Sequence, residues 1–199
     1  LVARHLVEDR GKKKKKKKTL STSVLVDRIG AVIGSEVTTT PIGFKWIYGE
    51  MLKGDVLIGG EESGGIGMPG HVRERDGLLM SLLLAEMMGH RKQGLGALVD
   101  DLIAATGPME YNRVDLKLDP AVKDAFVATM PTLSPVTLAG LEVRDIIRAD
   151  GIKFLLPDDA WLLLRSSGTE PLVRIYAEAA TAGGVDDLLA AGRGLVAGA

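Results

Sequence analysis

The chain has 199 residues, of which 46% are hydrophobic, 26% charged and 4% aromatic, a globular composition with room for one large domain or two small ones. It has no cysteine, which excludes disulfides, thiolate metal sites and a cysteine nucleophile, and His5, His71 and His90 lack metal-ligand spacing, which argues against a zinc centre. The net charge of −1 conceals an acidic body: Lys12 to Lys18 supply seven of the 25 basic residues, and the other 18 stand against 26 acidic ones, a balance of −8.

No run of roughly 18 apolar residues is present, so no membrane span is expected. Leu1-Val2-Ala3-Arg4-His5 carries neither an initiator Met nor a signal-peptide pattern, and the chain is expected to begin mid-protein. The lack of cysteine suits a reducing compartment, so the expected location is cytoplasmic.

Leu1 to Asp9 reads as the end of a helix stopped by Gly11. Lys12 to Lys18 has no apolar face and repels itself, so it reads as a solvated, mobile loop; without interleaved aromatics it offers no base stacking, and nucleic acid is not an expected partner. Thr19-Leu20-Ser21 is a short strand candidate. Val24, Leu25, Ile29, Val32 and Ile33 have helical spacing, Glu36 to Thr40 is β-branched, and Pro41-Ile42-Gly43 leads into a second helical pattern over Phe44 to Leu52. Val56-Leu57-Ile58 reads as a buried strand and Gly59 to Gly70 as a glycine-rich loop. Gly70 to Gly77 reads as a charged turn, with Asp76 capping a helix over Leu78 to Met88. This alternation predicts an α/β layer with parallel strands.

Beyond Gly107-Pro108 the pattern changes. Met109 to Leu118 alternates like a strand and Asp119-Pro120 opens a helix to about Met130. Strands follow at Val143 to Ile147, Ile152 to Leu156, Trp161 to Arg165 and Leu172 to Ala177, and Val185 to Val196 is a last amphipathic helix. Successive strands flanked by helices predict a separate α+β domain with a mostly antiparallel sheet, the boundary falling near 106–118.

Three constellations could carry chemistry. Gly60-Glu61-Glu62-Ser63-Gly64-Gly65 follows a buried strand, where ligands of α/β layers bind, and pairs a carboxylate with a hydroxyl that can address neighbouring sugar hydroxyls; a flexible surface turn is the bland alternative. Arg165-Ser166-Ser167-Gly168-Thr169-Glu170-Pro171, with Arg174 beyond it, offers guanidinium, hydroxyl and backbone N–H groups suited to a phosphate monoester; the alternative is a hairpin turn whose Arg pairs with an acid. Gly70 to Gly77 brings His71, Arg73 and Arg75 before a helix and equally fits a solvated turn, and Lys45 in Gly43-Phe44-Lys45 would ordinarily be just exposed.

Together and in this order, Thr40-Pro41-Ile42-Gly43-Phe44-Lys45, Gly60 to Gly65, Glu74-Arg75-Asp76-Gly77 and Arg165 to Pro171 with Arg174-Ile175-Tyr176 resemble the C-terminal half of an α-D-phosphohexomutase, the family of phosphoglucomutases and phosphomannomutases. The resemblance implies a three-layer α/β domain, the family's third, over 1–107, and the family's smaller α+β C-terminal domain with a mostly antiparallel sheet over 108–199. It implies that Glu61 and Ser63 hold the hydroxyls at positions 3 and 4 of a hexose, that Arg75 and Gly43 line the same pocket with Lys45 nearby, and that Arg165, Ser167, Gly168, Thr169 and the supporting Arg174 bind the phosphate that is not reacting.

The implied full enzyme shifts a phosphoryl group between C1 and C6 through a bisphosphate intermediate. It uses magnesium and an activator of the glucose 1,6-bisphosphate type. The family's phosphoserine motif, T-A-S-H-N-P, and metal motif, D-G-D-x-D-R, do not occur in these residues. The implied partners are therefore a hexose phosphate and N-terminal catalytic domains of the same enzyme, and this chain should bind without turnover. A non-catalytic phosphosugar-binding module of the same fold is the alternative. Two departures stand out: Ile42 replaces a Thr found in some phosphoglucomutases, and Arg75 a common Lys, making that position an electrostatic clamp and not an acid or base.

Overall fold

A computed structural model describes residues 1–13 and 15–198; Lys14, inside the lysine run, and Ala199 lie outside the described residues. The chain divides into two compact units, Leu1–Gly107 and Pro108–Ala199.

In the first unit, α1 (Val2–Arg4) runs on as a π-helical turn (His5–Asp9). Then come β1 (Lys15–Thr19), α2 (Leu25–Val32), β2 (Val37–Thr40), α3 (Phe44–Leu52), β3 (Val56–Gly60), β4 (Ile66–Met68), β5 (Val72–Arg75), α4 (Gly77–Arg91) and α5 (Leu95–Thr106). The sheet order is β2-β1-β3-β4-β5; β1 is parallel to both neighbours, and β4 is antiparallel to both β3 and β5, so the sheet is mixed. The reading of Lys12 to Lys18 as a solvated loop is overturned for Lys15 to Lys18, while Lys12 and Lys13 are exposed and outside regular structure: Lys15–Thr19 is an inner strand, with Lys16 paired to Val37 on one side and Ile58 on the other.

Tertiary pairing overrides the strand-unfriendly composition because the ammonium groups of Lys15 to Lys18 find polar or acidic partners on neighbouring segments of the first unit. Lys15 Nζ lies 3.1 Å from Glu36 and Lys17 Nζ 2.9 Å from Glu50; Lys16 bonds the Ser35 hydroxyl, and Lys18 bonds Asp27 and the carbonyl of Ser23. Lys16 and Lys18 are only 1% and 4% exposed. A cavity of about 380 Å³, lined by Lys16, Lys18, Val2, Ile29, Ile58 and Leu84 among others, lies beside this strand.

Three further readings change. Thr19 ends β1 and Leu20-Ser21 turn; the glycine-rich stretch contains the end of β3 and all of β4; and the charged segment before α4 is strand β5. Helix α5 was not anticipated, although Leu95, Leu98, Val99, Leu102 and Ile103 have helical spacing. The Asp76 cap is present: its Oδ1 accepts a hydrogen bond from the Leu79 N–H at 2.9 Å.

The second unit comprises β6 (Glu110–Lys117), α6 (Pro120–Thr129), a small ribbon of β7 (Thr137–Leu138) and β8 (Leu141–Glu142), β9 (Asp145–Ile147), β10 (Ile152–Leu155), β11 (Trp161–Ser166), β12 (Leu172–Ala179) and α7 (Ala182–Ala197). Its main sheet, ordered β6-β12-β11-β10-β9, is antiparallel throughout. Trp161, Leu162, Leu163 and Leu164 are all fully buried, which explains the unbroken apolar run of β11 where an alternating pattern marks a half-exposed strand. Phe154, Leu162, Leu164, Ile175 and Ala177 form a core with Phe126 of α6 and Leu188 of α7, and on β12 the buried Glu178 accepts the Trp161 indole N–H at 2.6 Å.

The turn into β10 depends on one glycine. Gly151 has φ +81°, and a Cβ there would lie 2.3 Å from the Leu164 carbonyl oxygen. Gly151→Ala is therefore expected to destabilise the second unit by more than about 2 kcal/mol, read as a lower urea midpoint, because strained backbone and overlap with a fixed carbonyl add.

Candidate functional site

Three of the motifs meet in the first unit. Because Gly59 pairs with Gly67 and Gly60 with Ile66, residues 61–65 are a hairpin loop, closed by the Glu61 N–H donating to the Gly65 carbonyl at 3.0 Å and the Gly64 N–H to the Glu61 carbonyl at 3.1 Å. Gly64, at φ +83°, sits at its tip. This loop leaves the carboxyl end of β3, on the same side as the ends of the parallel β1 and β2, where α/β sheets place ligands.

The Glu61 side chain is 10% exposed, and Arg75, at the end of β5, brings a guanidinium nitrogen to 3.6 Å from its carboxylate. Arg75 also lies over the Phe44 ring at 5.3 Å and packs its stem where a Gly65 side chain would otherwise stand. Burial pushes the Glu61 carboxyl above its ordinary value, with Arg75 opposing the shift. Ser63 is exposed at the loop tip. Gly43, the N-cap of α3, precedes Phe44, so the first turn of α3 reaches the same cluster through that ring; Lys45 is exposed and its ammonium lies 5.2 Å from the Trp46 ring.

A set of hydroxyls beneath the loop was missed by sequence reasoning. Ser21 donates to Glu62 at 2.6 Å, and the fully buried Thr19 hydroxyl lies 2.8 Å from that of Thr22. The Ser21 bond holds Glu62, while Glu61 faces Arg75 and Ser63 is the exposed polar side chain of the loop. The hydroxyl-rich Thr19-Leu20-Ser21-Thr22-Ser23, directly after a lysine run, was the available signal.

In the second unit the loop Ser167–Pro171 joins β11 to β12. Directly beneath it Arg165 and Arg174 are cross-strand partners, and Arg174 also pairs across with Asp115 on β6. Like charges directly opposite one another in a ladder are unfavourable unless something anionic lies between or beside them. Asp150 provides part of that compensation, accepting from Arg165 Nε at 2.9 Å, and Arg174 lies 3.5 Å from Glu170 and 3.8 Å from Asp115. Arg174 Nε is nonetheless buried without a hydrogen-bond partner among the described residues.

Gly168, Thr169 and Glu170 are exposed, whereas the Ser167 side chain is turned inward, its Oγ accepting from the Thr169 and Glu170 N–H groups at 3.4 and 3.2 Å. Those bonds are long, so the two N–H groups are weakly held. Asp150 was not anticipated, because nothing local links it to Arg165; only the pairing of Ile152 with Leu164 brings the start of β10 beside the end of β11.

Among the described residues no group of three or more His, Asp or Glu side chains could hold a metal ion. No described helix is long and apolar enough to cross a membrane.

Comparison with known proteins accounts for both units. Residues 1–106 match the phosphoglucomutase/phosphomannomutase α/β/α domain III and residues 115–193 the C-terminal domain of the same family. A phosphoglucomutase of Komagataeibacter xylinus is 32% identical over 179 residues, covering 81% of this chain and 31% of the relative, and a phosphoglucomutase/phosphomannomutase of Thermococcus kodakarensis is 32% identical over 161 residues, covering 81% and 33%. A solved structure described as a phosphomannomutase of Thermus thermophilus superposes with a TM-score of 0.77 at 39% identity, over 95% of this chain and 38% of that one. The chain thus spans about a third of the length of the relatives it matches. With both units matched in order, the chain belongs to the phosphoglucomutase/phosphomannomutase family and carries its domain III and C-terminal domain.

Proposed function

We propose that this chain is the substrate-binding half of a phosphohexomutase acting in the cytoplasm, one that interconverts hexose 1-phosphate and 6-phosphate through a bisphosphate intermediate. The observation that carries this reading is the Arg165/Arg174 cross-strand pair beneath an exposed Gly168-Thr169 loop, two adjacent cations whose mutual repulsion a phosphate dianion would relieve. Arg165, Arg174 and the Gly168 and Thr169 N–H groups grip the phosphate that does not react, with Ser167 shaping the loop from inside. Glu61 accepts from, and Ser63 exchanges hydrogen bonds with, sugar hydroxyls at positions 3 and 4. Arg75 fixes Glu61, and Gly43 and Lys45 border the pocket.

Holding the non-reacting phosphate and two ring hydroxyls leaves the other end of the sugar to be presented to a phosphoryl group, so the contribution of this half is positioning. The phosphoserine, its magnesium and a glucose 1,6-bisphosphate-type activator belong with N-terminal domains of the same enzyme. Relatives named as phosphoglucomutases, phosphomannomutases and phosphoglucosamine mutases all share the match, and hexose phosphate is their common denominator.

Calorimetric titration of the 199-residue chain tests the reading. Glucose 6-phosphate is expected to bind more tightly than glucose or inorganic phosphate, without conversion to the 1-phosphate; equal affinity for inorganic phosphate and the sugar phosphate would remove the sugar loop from the proposal. A raised Glu61 pKa also sets a direction with pH. The carboxylate is lost as pH falls through a value above that of an ordinary glutamate, and with it the acceptor for the sugar hydroxyls. Binding is expected to weaken on that descent, and Glu61→Gln, about tenfold weaker at pH 8, is expected to lack this step. The difference between the two proteins isolates the carboxyl, because the phosphate's own ionisation near pH ~6 affects both.

A further inference from the structure

The backbone carbonyls of the loop after β11 have a cation of their own. Lys123, on α6, donates from Nζ to the Ser167 carbonyl at 2.7 Å and to the Glu170 carbonyl at 2.9 Å, bracketing the loop at both ends from a helix 44 and 47 residues earlier in the chain. Both are short, charge-assisted bonds, whereas the loop's internal bonds from the Thr169 and Glu170 N–H groups to Ser167 Oγ are long, at 3.4 and 3.2 Å. The Ser167 N–H closes the loop by donating to the Leu172 carbonyl at 3.0 Å, so the N–H groups held weakly enough to exchange partners are those nearer the tip, at Thr169 and Glu170.

A loop that binds an anion through N–H groups must keep its carbonyl oxygens away from that anion, since each is a partial negative charge. The Glu170 carbonyl is also held by the Leu172 N–H at 2.8 Å, whereas the other contact of the Ser167 carbonyl, from the Ser166 hydroxyl, is long at 3.4 Å; without the ammonium it is the Ser167 carbonyl above all that could rotate toward the bound oxygens.

We propose that Lys123 is the positioning residue of the phosphate loop, sequestering its two carbonyl groups so that the Gly168 and Thr169 N–H groups present to the phosphate. The inference rests on the reading of this loop as a phosphate grip and adds the residue that sets its polarity. Lys123 supplies one positive charge beside the loop as well, but a purely electrostatic role would be kept by any cation, and this one requires two donors aimed at two carbonyl groups.

The test is titration of the full 199-residue chain with glucose 6-phosphate, followed through the backbone amide signals of Gly168 and Thr169 in the isotope-labelled protein. Lys123→Met is expected to weaken binding at least about tenfold and to abolish the ordered amide shifts of these two residues on saturation. Lys123→Arg, with donors enough for both carbonyls, is expected to recover most of the affinity, and Lys123→Gln only a fraction. Melting temperatures identify any variant that fails to fold, and Lys123→Gln, which keeps a polar tip beside the carbonyls, then serves in place of Lys123→Met. Affinity within twofold of wild type for a folded Lys123→Met or Lys123→Gln overturns the proposal while the loop assignment stands, provided Arg165→Ala still weakens binding. If the wild-type chain binds no glucose 6-phosphate, or binds it independently of Arg165, the loop assignment fails and the role of Lys123 with it.

Discussion

Arg165→Ala is expected to weaken the binding of glucose 1-phosphate, glucose 6-phosphate and the two mannose counterparts by roughly 100-fold each, because a guanidinium gripping a phosphate makes two charge-assisted bonds that alanine cannot replace. The equality matters as much as the size. A group that touches only phosphate cannot distinguish epimers, so a loss confined to one sugar would contradict the assignment. Unfolding is not an alternative source of the effect. The substitution removes the Asp150 ion pair but also the like-charge pair with Arg174, and partly exposed ion pairs contribute little, so stability is expected to change by under about 1 kcal/mol. Calorimetric titration for affinity and thermal melting for stability give the two readouts separately.

The second large effect concerns stability. Lys16→Ile and Lys16→Met are expected to stabilise the first unit by about 1–3 kcal/mol, since replacing a buried charge with an apolar side chain of similar size relieves its desolvation. Scaled to a domain of this length, that is a rise of roughly 5–15 °C in melting temperature. Lys16 is 1% exposed on an inner strand beside a cavity of about 380 Å³, and its ammonium bonds the Ser35 hydroxyl, with no carboxylate against it among the described residues.

The sign with pH follows from burial, which lowers the Lys16 pKa below its ordinary 10.5. Below the folded-state pKa the wild type carries the full desolvation cost. As pH rises from there toward 10.5 the side chain is neutral in the folded state while the unfolded chain still binds the proton, and the cost fades. The advantage of Lys16→Met over wild type in urea unfolding is therefore expected to be largest near neutrality and to shrink by pH 10.5; a gap unchanged across that range would mean that Lys16 is not the strained group. The comparison between the two proteins cancels the paired lysines, such as Lys15 with Glu36, which titrate in both.

Helices with a clear apolar stripe were legible from sequence. The spacing of Phe44, Ile47 and Met51 marks α3, and an Asp three residues ahead of Leu79 marks the start of α4. The strands of the second unit's main sheet were legible too, as with β11, an unbroken apolar run between turn residues, whereas the two-residue strands β7 and β8 were not read. Two kinds of element were not. Short antiparallel strands such as β4 and β5 carry glycines and charges because they border a candidate site, and Val72-Arg73-Glu74-Arg75, exposed along its length, has no hydrophobic pattern to report. Strand β1 fails for the opposite reason: its position is inner, but its side chains are lysines, and no local rule places those inside a sheet.

The candidate site divides along the same line. Contiguous motifs, residues 60–65 and 165–171, were visible because loops that approach ligands need glycine and hydroxyl residues in short runs. The supporting residues were not, since Ser21 under Glu62, Asp150 against Arg165 and Lys123 on the loop carbonyls are separated from what they touch by 41, 15 and up to 47 residues.

From sequence alone came the domain type, the family resemblance and the chemical character of each loop, because these reside in local composition and order. Only tertiary structure decided that seven consecutive lysines end in an inner strand and not a solvated loop, so that the charge run which masks an acidic chain in the composition is partly buried and paired. The physical reason is that burial of a charge depends on what lies beside it. Glu36, Glu50, Asp27 and Ser35 come from elements that follow β1, and their proximity exists only once β2 and β3 have closed around it.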